Sequence, residues 1–253
     1  MRHLLLLLLA AGCGPVDMVA KSTPFAIDDF TRLDVFSVRG TVTISTSDSP
    51  TVDASLNYKG EVQPEVETRL AGETLLVSTN CPEEARRCSV DLDIKVPEGA
   101  DVDLVSLEGD VTLTGIGGVV DVRVEEGNVA ATSVSGNTRL DVPLGDVDLT
   151  AVTGRLDVNA PEGLIRGSAL GSPTFDAVGD FNPIEVEFAS QPDIVRVTSA
   201  KGDLTLRVPD GTYDVSTTTR KGQIFVTGIT DTVGAGSVVL VTTTTGDITV
   251  QGL

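Results

Sequence analysis

Seven glycines stand at nine-residue intervals: Gly109, Gly118, Gly127, Gly136, Gly145, Gly154 and Gly163. The second and fourth residues after each are mostly apolar, as in Val111 and Leu113, Val120 and Val122, Val147 and Leu149, and Leu156 and Val158. A turn plus one short alternating strand cannot bury its apolar face alone, so such units must stack on their neighbours. The spacing predicts an all-β chain coiled as a parallel β-helix, or β-solenoid, from nine-residue strand–turn units. Two registers alternate. Gly109-Asp-Val-Thr-Leu-Thr, Gly127-Asn-Val-Ala-Ala-Thr and Gly145-Asp-Val-Asp-Leu-Thr share one; Gly118-Val-Val-Asp-Val, Gly136-Asn-Thr-Arg-Leu-Asp-Val and Gly154-Arg-Leu-Asp-Val share the other. This alternation predicts 18 residues, two strands and two turns, in each coil, with a three-strand coil of 27 residues as the competing count. Glycine suits a coil corner because it tolerates positive φ and a close approach to the corner above.

The chain opens MRHLLLLLLAAGCG. Arg2 precedes an apolar run, Leu4 to Ala11, that is too short to span a bilayer as a helix but fits the apolar region of an export signal. Ala10-Ala11-Gly12-Cys13 resembles the bacterial lipobox, in which the cysteine is lipidated and becomes the mature N-terminus. The resulting division is a lipoprotein signal peptide over 1–12, a tether over 13–24 and a single β-solenoid domain over 25–253. The tether is read from small and polar residues without a period.

With Cys13 assigned to lipid, Cys81 and Cys88 remain as an even pair in an oxidising compartment, which favours a disulfide closing a short loop. A metal or redox pair is the rival, but the spacing is not C-x-x-C and no histidine lies nearby. The single histidine, His3, falls inside the signal. The mature chain therefore has none for Ser-His-Asp or Cys-His catalysis, zinc ligation or imidazole base chemistry. The expectation is a protein that is not an enzyme, with no catalytic residues, no cofactor and no metal site. A net charge of −19, no tryptophan and two tyrosines weigh against nucleic-acid binding, which needs basic surface and stacking platforms.

Further along, apolar residues recur at i, i+2 and no helical period appears. The pattern blurs from Gly167 to Ser190, read as an insertion or bulged loop, and resumes as Gly202-Asp-Leu-Thr-Leu, Gly222-Gln-Ile-Phe-Val and Gly246-Asp-Ile-Thr-Val. Ile94-Lys-Val-Pro-Glu-Gly99 before Gly109-Asp-Val parallels Leu206-Arg-Val-Pro-Asp-Gly211 before Gly222-Gln-Ile, which suggests two related halves. The V-P-x-G segments, each followed by such glycine-punctuated strands, resemble the bacterial putative-adhesin family of β-strand repeat proteins over about 25–253. The resemblance implies an envelope protein with a parallel β-helix and no assigned catalytic residues.

Several groups invite a functional reading. The Gly-Asp positions Asp110, Asp146, Asp203 and Asp247, with Asn128 equivalent, form either a carboxylate ladder for calcium or ordinary turn chemistry, in which Asp and Asn bond local backbone. The acidic pairs Asp28-Asp29, Glu83-Glu84 and Glu125-Glu126 point to opposite faces of any strand, and so make poor catalytic partners within a pair. The runs Thr217–Thr219 and Thr242–Thr245 offer a hydroxyl array to a glycan or ice-like lattice, or simply suit exposed strands. Arg86-Arg87 and Arg220-Lys221 are small basic clusters on an acidic body. Residues 25–47 are the expected cap at one end of the stack, and Gln251-Gly252-Leu253 an open or partnered end at the other. The functional expectation is a lipid-anchored envelope module, in the outer membrane or at the cell surface, that binds a glycan or an envelope protein. A carbohydrate-binding or carbohydrate-active β-helix and an envelope-stress accessory are the alternatives.

Overall fold

The computed structural model describes residues 17–24, 26, 29–82 and 86–253. Cys13 and residues 1–16, where the signal and lipidation site were read, lie outside them, as do Phe25, Asp28, Glu83 and Glu84. Among the described residues every regular element is a strand. The entry segment holds β1 (Asp17–Pro24), β2 (Arg32–Ser37), β3 (Val42–Thr46), β4 (Thr51–Lys59), β5 (Glu65–Ala71), β6 (Thr74–Asn80) and β7 (Arg86–Val96). The body holds β8 (Asp101–Glu108), β9 (Val111–Thr114), β10 (Val120–Glu126), β11 (Val129–Thr132), β12 (Thr138–Asp141), β13 (Val147–Thr150), β14 (Leu156–Ala160), β15 (Ile165–Leu170), β16 (Thr174–Gly179), β17 (Ile184–Phe188), β18 (Ile194–Lys201) and β19 (Leu204–Val208). The exit segment holds β20 (Thr212–Lys221), β21 (Ile224–Thr227), β22 (Thr230–Asp231), β23 (Ser237–Thr245) and β24 (Ile248–Gly252).

These strands form two 12-stranded mixed sheets. In the body the chain alternates between them, and from β10 to β19 each strand pairs in parallel with the one two elements earlier. Val120 lies beside Val102 and Val129 beside Val111, each 18 positions earlier in the sequence. Alternate apolar side chains face the space between the sheets and are buried there, among them Leu104, Val122, Leu140 and Val158 from one sheet and Leu113, Ala131 and Leu149 from the other. Valine and leucine at these positions each stabilise by roughly 1.5–3 kcal/mol on burial.

The corners explain the glycines. A Cβ on Gly127 would overlap the carbonyl of Gly109, one on Gly145 that of Gly127, and one on Gly136 that of Gly118. Close approach therefore operates at both corners, whereas positive φ belongs to only one of them: Gly127 sits at φ 145°, and Gly136 shows no such value. The stretch from Gly167 to Ser190 is not an inserted loop. It continues the sheets with longer spacing, Ile184 pairing with Ile165 and Leu204 with Ile184, and with a register shift between Gly167 and Leu170. The added room holds Phe175 and Phe188, both buried, edge to face at 5.8 Å.

Sequence order and spatial order part at both ends. At the entry end β2 and β3 lie between β6 and β8 in one sheet and between β7 and β9 in the other. At the exit end β23 and β24 lie between β18 and β20 and between β19 and β21. Each skipped layer is crossed by a V-P-x-G turn, Val96–Gly99 between β7 and β8 and Val208–Gly211 between β19 and β20. The related segments thus serve opposite ends of one stack. Within the expected cap, 25–47, the strands β2 and β3 are enclosed between other strands and cap nothing; β1, β4 and β5, the antiparallel strands, close that end. The C-terminal strand β24 is likewise enclosed rather than open. Residues 17–24 are not tether either, since β1 pairs along β4 from Asp17 opposite Tyr58 to Pro24 opposite Thr51.

Candidate functional site

Cys81 and Cys88 are joined by a disulfide, which ties the end of β6 to β7. Of Arg86-Arg87, Arg87 is exposed with φ 53°, and Arg220 and Lys221 are exposed at the end of β20.

The Gly-Asp positions fall in columns and are occupied by hydrogen bonds between layers. Asp110 Oδ1 accepts the backbone N–H of Asn128 at 2.8 Å, Asn128 Oδ1 that of Asp146 at 2.9 Å, and Asp146 Oδ1 that of Leu164 at 2.9 Å. Asp203 Oδ1 accepts from Asp247, and Asp247 Oδ1 from Gln223. The partner is the next layer's backbone rather than the local turn, because the corner amide two strands on lies within side-chain reach.

The threonine runs do not lie flat. Thr243 is buried and Thr242 exposed, as strand alternation requires; Thr219 Oγ1 donates to Gly246 O at 3.1 Å and Thr243 Oγ1 to Thr245 O at 3.3 Å. A continuous hydroxyl column exists elsewhere. Ser45, Thr114, Thr132, Thr150 and Ser168 stand in register on five adjacent strands of one outer face. Its signal was present in the repeats, as the threonine five places after Gly109, Gly127 and Gly145.

The other outer face carries an ion-pair network between layers. Arg32 bridges Asp34 and Asp103 at 2.9 Å each, Arg123 bridges Glu125 and Asp141, and Asp176 receives both Arg155 and Arg196. The hydrogen bond to Asp34, and then that carboxylate's charge, hold the Arg32 guanidinium above its ordinary value; Glu125 does the same for Arg123. Glu125 is thus an ion-pair partner, and Asp29 accepts the N–H of Ala26.

A cleft of about 360 Å³ opens on this same face, where the β5–β6 hairpin meets β2 and β8. Phe36, Leu76, Asp34, Asp103, Glu67 and Arg69 line it. Register explains the assembly: Asp34 lies between Leu76 and Asp103 on adjacent strands, and Arg69 lies opposite Leu76. Phe36 stays 44% exposed, an aromatic face beside three carboxylates and a guanidinium. Arg32 occupies Asp34 Oδ1 and Asp103 Oδ2, with the second oxygen of each carboxylate as a further acceptor. An apolar floor with a few oriented polar groups is the make-up of a small-ligand site, and this volume is at the small end of that range. The sequence places Phe36 in the expected cap, 25–47. The cleft's residues come from four strands as far apart as Asp34 and Asp103, so no local motif marks it.

No protein-family model and no curated protein sequence matches the chain. Among solved structures it is similar to a putative adhesin from Bacteroides fragilis, at 13% identity and TM-score 0.43 over 93% of this chain and 97% of that one. It is similar also to a putative cell adhesion protein from Clostridium sporogenes, at 10% identity and TM-score 0.30 over 94% and 100%, and to a putative lipid binding protein from Parabacteroides distasonis, at 10% identity and TM-score 0.33 over 92% and 96%.

Proposed function

We propose that the chain is a non-enzymatic bacterial envelope protein, anchored by lipid on Cys13, whose two sheets wind as one β-solenoid of 18-residue coils and display a recognition surface. The 18-position register and the shared glycine corners support the winding. The observation that carries the recognition is the cleft at Phe36: an exposed ring with carboxylates and a guanidinium around it suits a sugar, whose C–H face packs on the ring while its hydroxyls meet charged acceptors and donors.

The test is a glycan array probed with the chain and with Phe36→Ala. Selective binding that is lost in Phe36→Ala supports the reading. A blank array, or binding untouched by the substitution, removes it. Asp34, Asp103 and Glu67 converging on one cleft also favour a second reading, glycosidic cleavage by a carboxylate pair. Release of reducing ends from a bound glycan, abolished in Asp103→Asn, distinguishes cleavage from binding.

A further inference from the structure

At the end built by β20–β22, core-facing positions lie open. Ile224 and Val226 stand in register with the fully buried Ile248 and Val250, yet are 43% and 38% exposed. β21 has a neighbour, β24, on one side only. β22 covers β20 only at Thr212 and Tyr213, so beyond them β20 is paired with β23 alone. The opposite end differs, because antiparallel strands close it and bury Val52 and Leu56. An uncovered edge with apolar inward side chains is a template for another strand.

Charge selects the occupant. β20 carries Asp214 near its start and Arg220 and Lys221 at its end, inside a chain of net charge −19. A strand acidic at one end and basic at the other is complementary to itself when run antiparallel. We propose that this end is an interface for a second copy of this chain, joined end to end across a two-fold axis with the two β20 edges paired antiparallel.

The backbone supports one such register. Tyr213 C=O accepts from Thr232, and Val215 N–H donates to Asp231, both on the side away from β23. By alternation Thr217 and Thr219 present their N–H and C=O groups on that same open side. A pairing centred on Thr218 lets Thr217 of each copy bond reciprocally with Thr219 of the other. It sets Ser216 opposite Arg220 with Asp214 diagonal to it, within reach of a long side chain. It runs from Ser216 to Arg220, and so leaves in place both β22 over Tyr213 and the bond from Val215 N–H to Asp231. The contact offers far fewer than the roughly 20–30 residues a side of a stable complex, so the association is weak and salt-sensitive.

Thr218→Cys in the full chain, expressed in its own envelope, tests the contact. Facing Thr218 residues sit in a non-hydrogen-bonded pair with Cα atoms about 4.5 Å apart, close enough for a disulfide. Thr198, in the same column two strands further in, would lie about 24 Å from its counterpart at strand spacing. The expected result is a covalent dimer from Thr218→Cys, none from Thr198→Cys, and loss of the dimer when Val226→Glu is added. Dimers from neither variant, or from both equally, overturn the proposal. So does sedimentation of Cys13→Ser as a monomer at every concentration in low salt.

Discussion

The backbone N–H of Asn128 donates to Asp110 Oδ1 at 2.8 Å, across 18 positions of sequence, and Asn128 passes the same bond on to Asp146. Turn side chains here act as braces between layers. Asp146 makes the prediction concrete. Asp146→Asn keeps an acceptor for Leu164 N–H and should leave the melting temperature nearly unchanged, as Asn128 already shows the amide to fit. Asp146→Leu should lose about 1 kcal/mol by thermal melting, the worth of one such bond. If these carboxylates instead held calcium, adding calcium would raise the wild-type melting temperature.

Close approach is what requires glycine at the corners, and a glycine outside them, in the Val96–Gly99 turn, is the control. Gly136→Ala drives a methyl into the Gly118 carbonyl and should cost about 2–3 kcal/mol in urea unfolding. Gly99→Ala, with nothing within 4 Å of the added carbon, should change stability by less than about 0.5 kcal/mol.

Gly115, Ser133, Ala151 and Ala169 occupy one column at 18-residue steps, and all four have positive φ, from 52° to 74°. Only the first is glycine. A left-handed conformation costs an L-residue about 1–2 kcal/mol. Ala151→Gly should therefore stabilise by about 1 kcal/mol, read as a rise in the urea midpoint, and a fall would mean that the methyl is needed for packing.

Tyr213 is buried, its hydroxyl donates to Pro209 O at 2.8 Å, and burial, then the charge of Asp210, raise its pKa. Because the folded pKa lies above the unfolded value of about 10, the contribution is complete below pH 10 and is lost as pH rises through the folded value. Unfolding measured from pH 8 to 12 should show stability falling above pH 10. Tyr213→Phe should flatten that limb while costing about 1 kcal/mol at pH 8 through the lost bond.

The body of the fold was legible because one layer repeats its chemistry in the next: Val111, Val129 and Val147 share a position, and so do their glycines. The ends were not. Nothing in β2 or β24 announces that each slips between strands distant in sequence, although the two V-P-x-G turns mark where a layer is skipped. β1 was missed because Asp17–Pro24 alternates weakly and gains its place from pairing with β4. The cleft was invisible for a related reason. Phe36 reads as one more strand residue until β5 and β8 bring Arg69, Glu67 and Asp103 beside it.

Duplicating part of the body tests the winding itself. A second copy of residues 120–137 inserted after 137 adds one complete 18-residue layer and should leave a folded protein melting near the wild type. Inserting only 120–128 sends every later strand to the wrong sheet and should abolish cooperative unfolding. If the nine-residue insertion folds and the 18-residue one does not, the account of an 18-residue coil is contradicted.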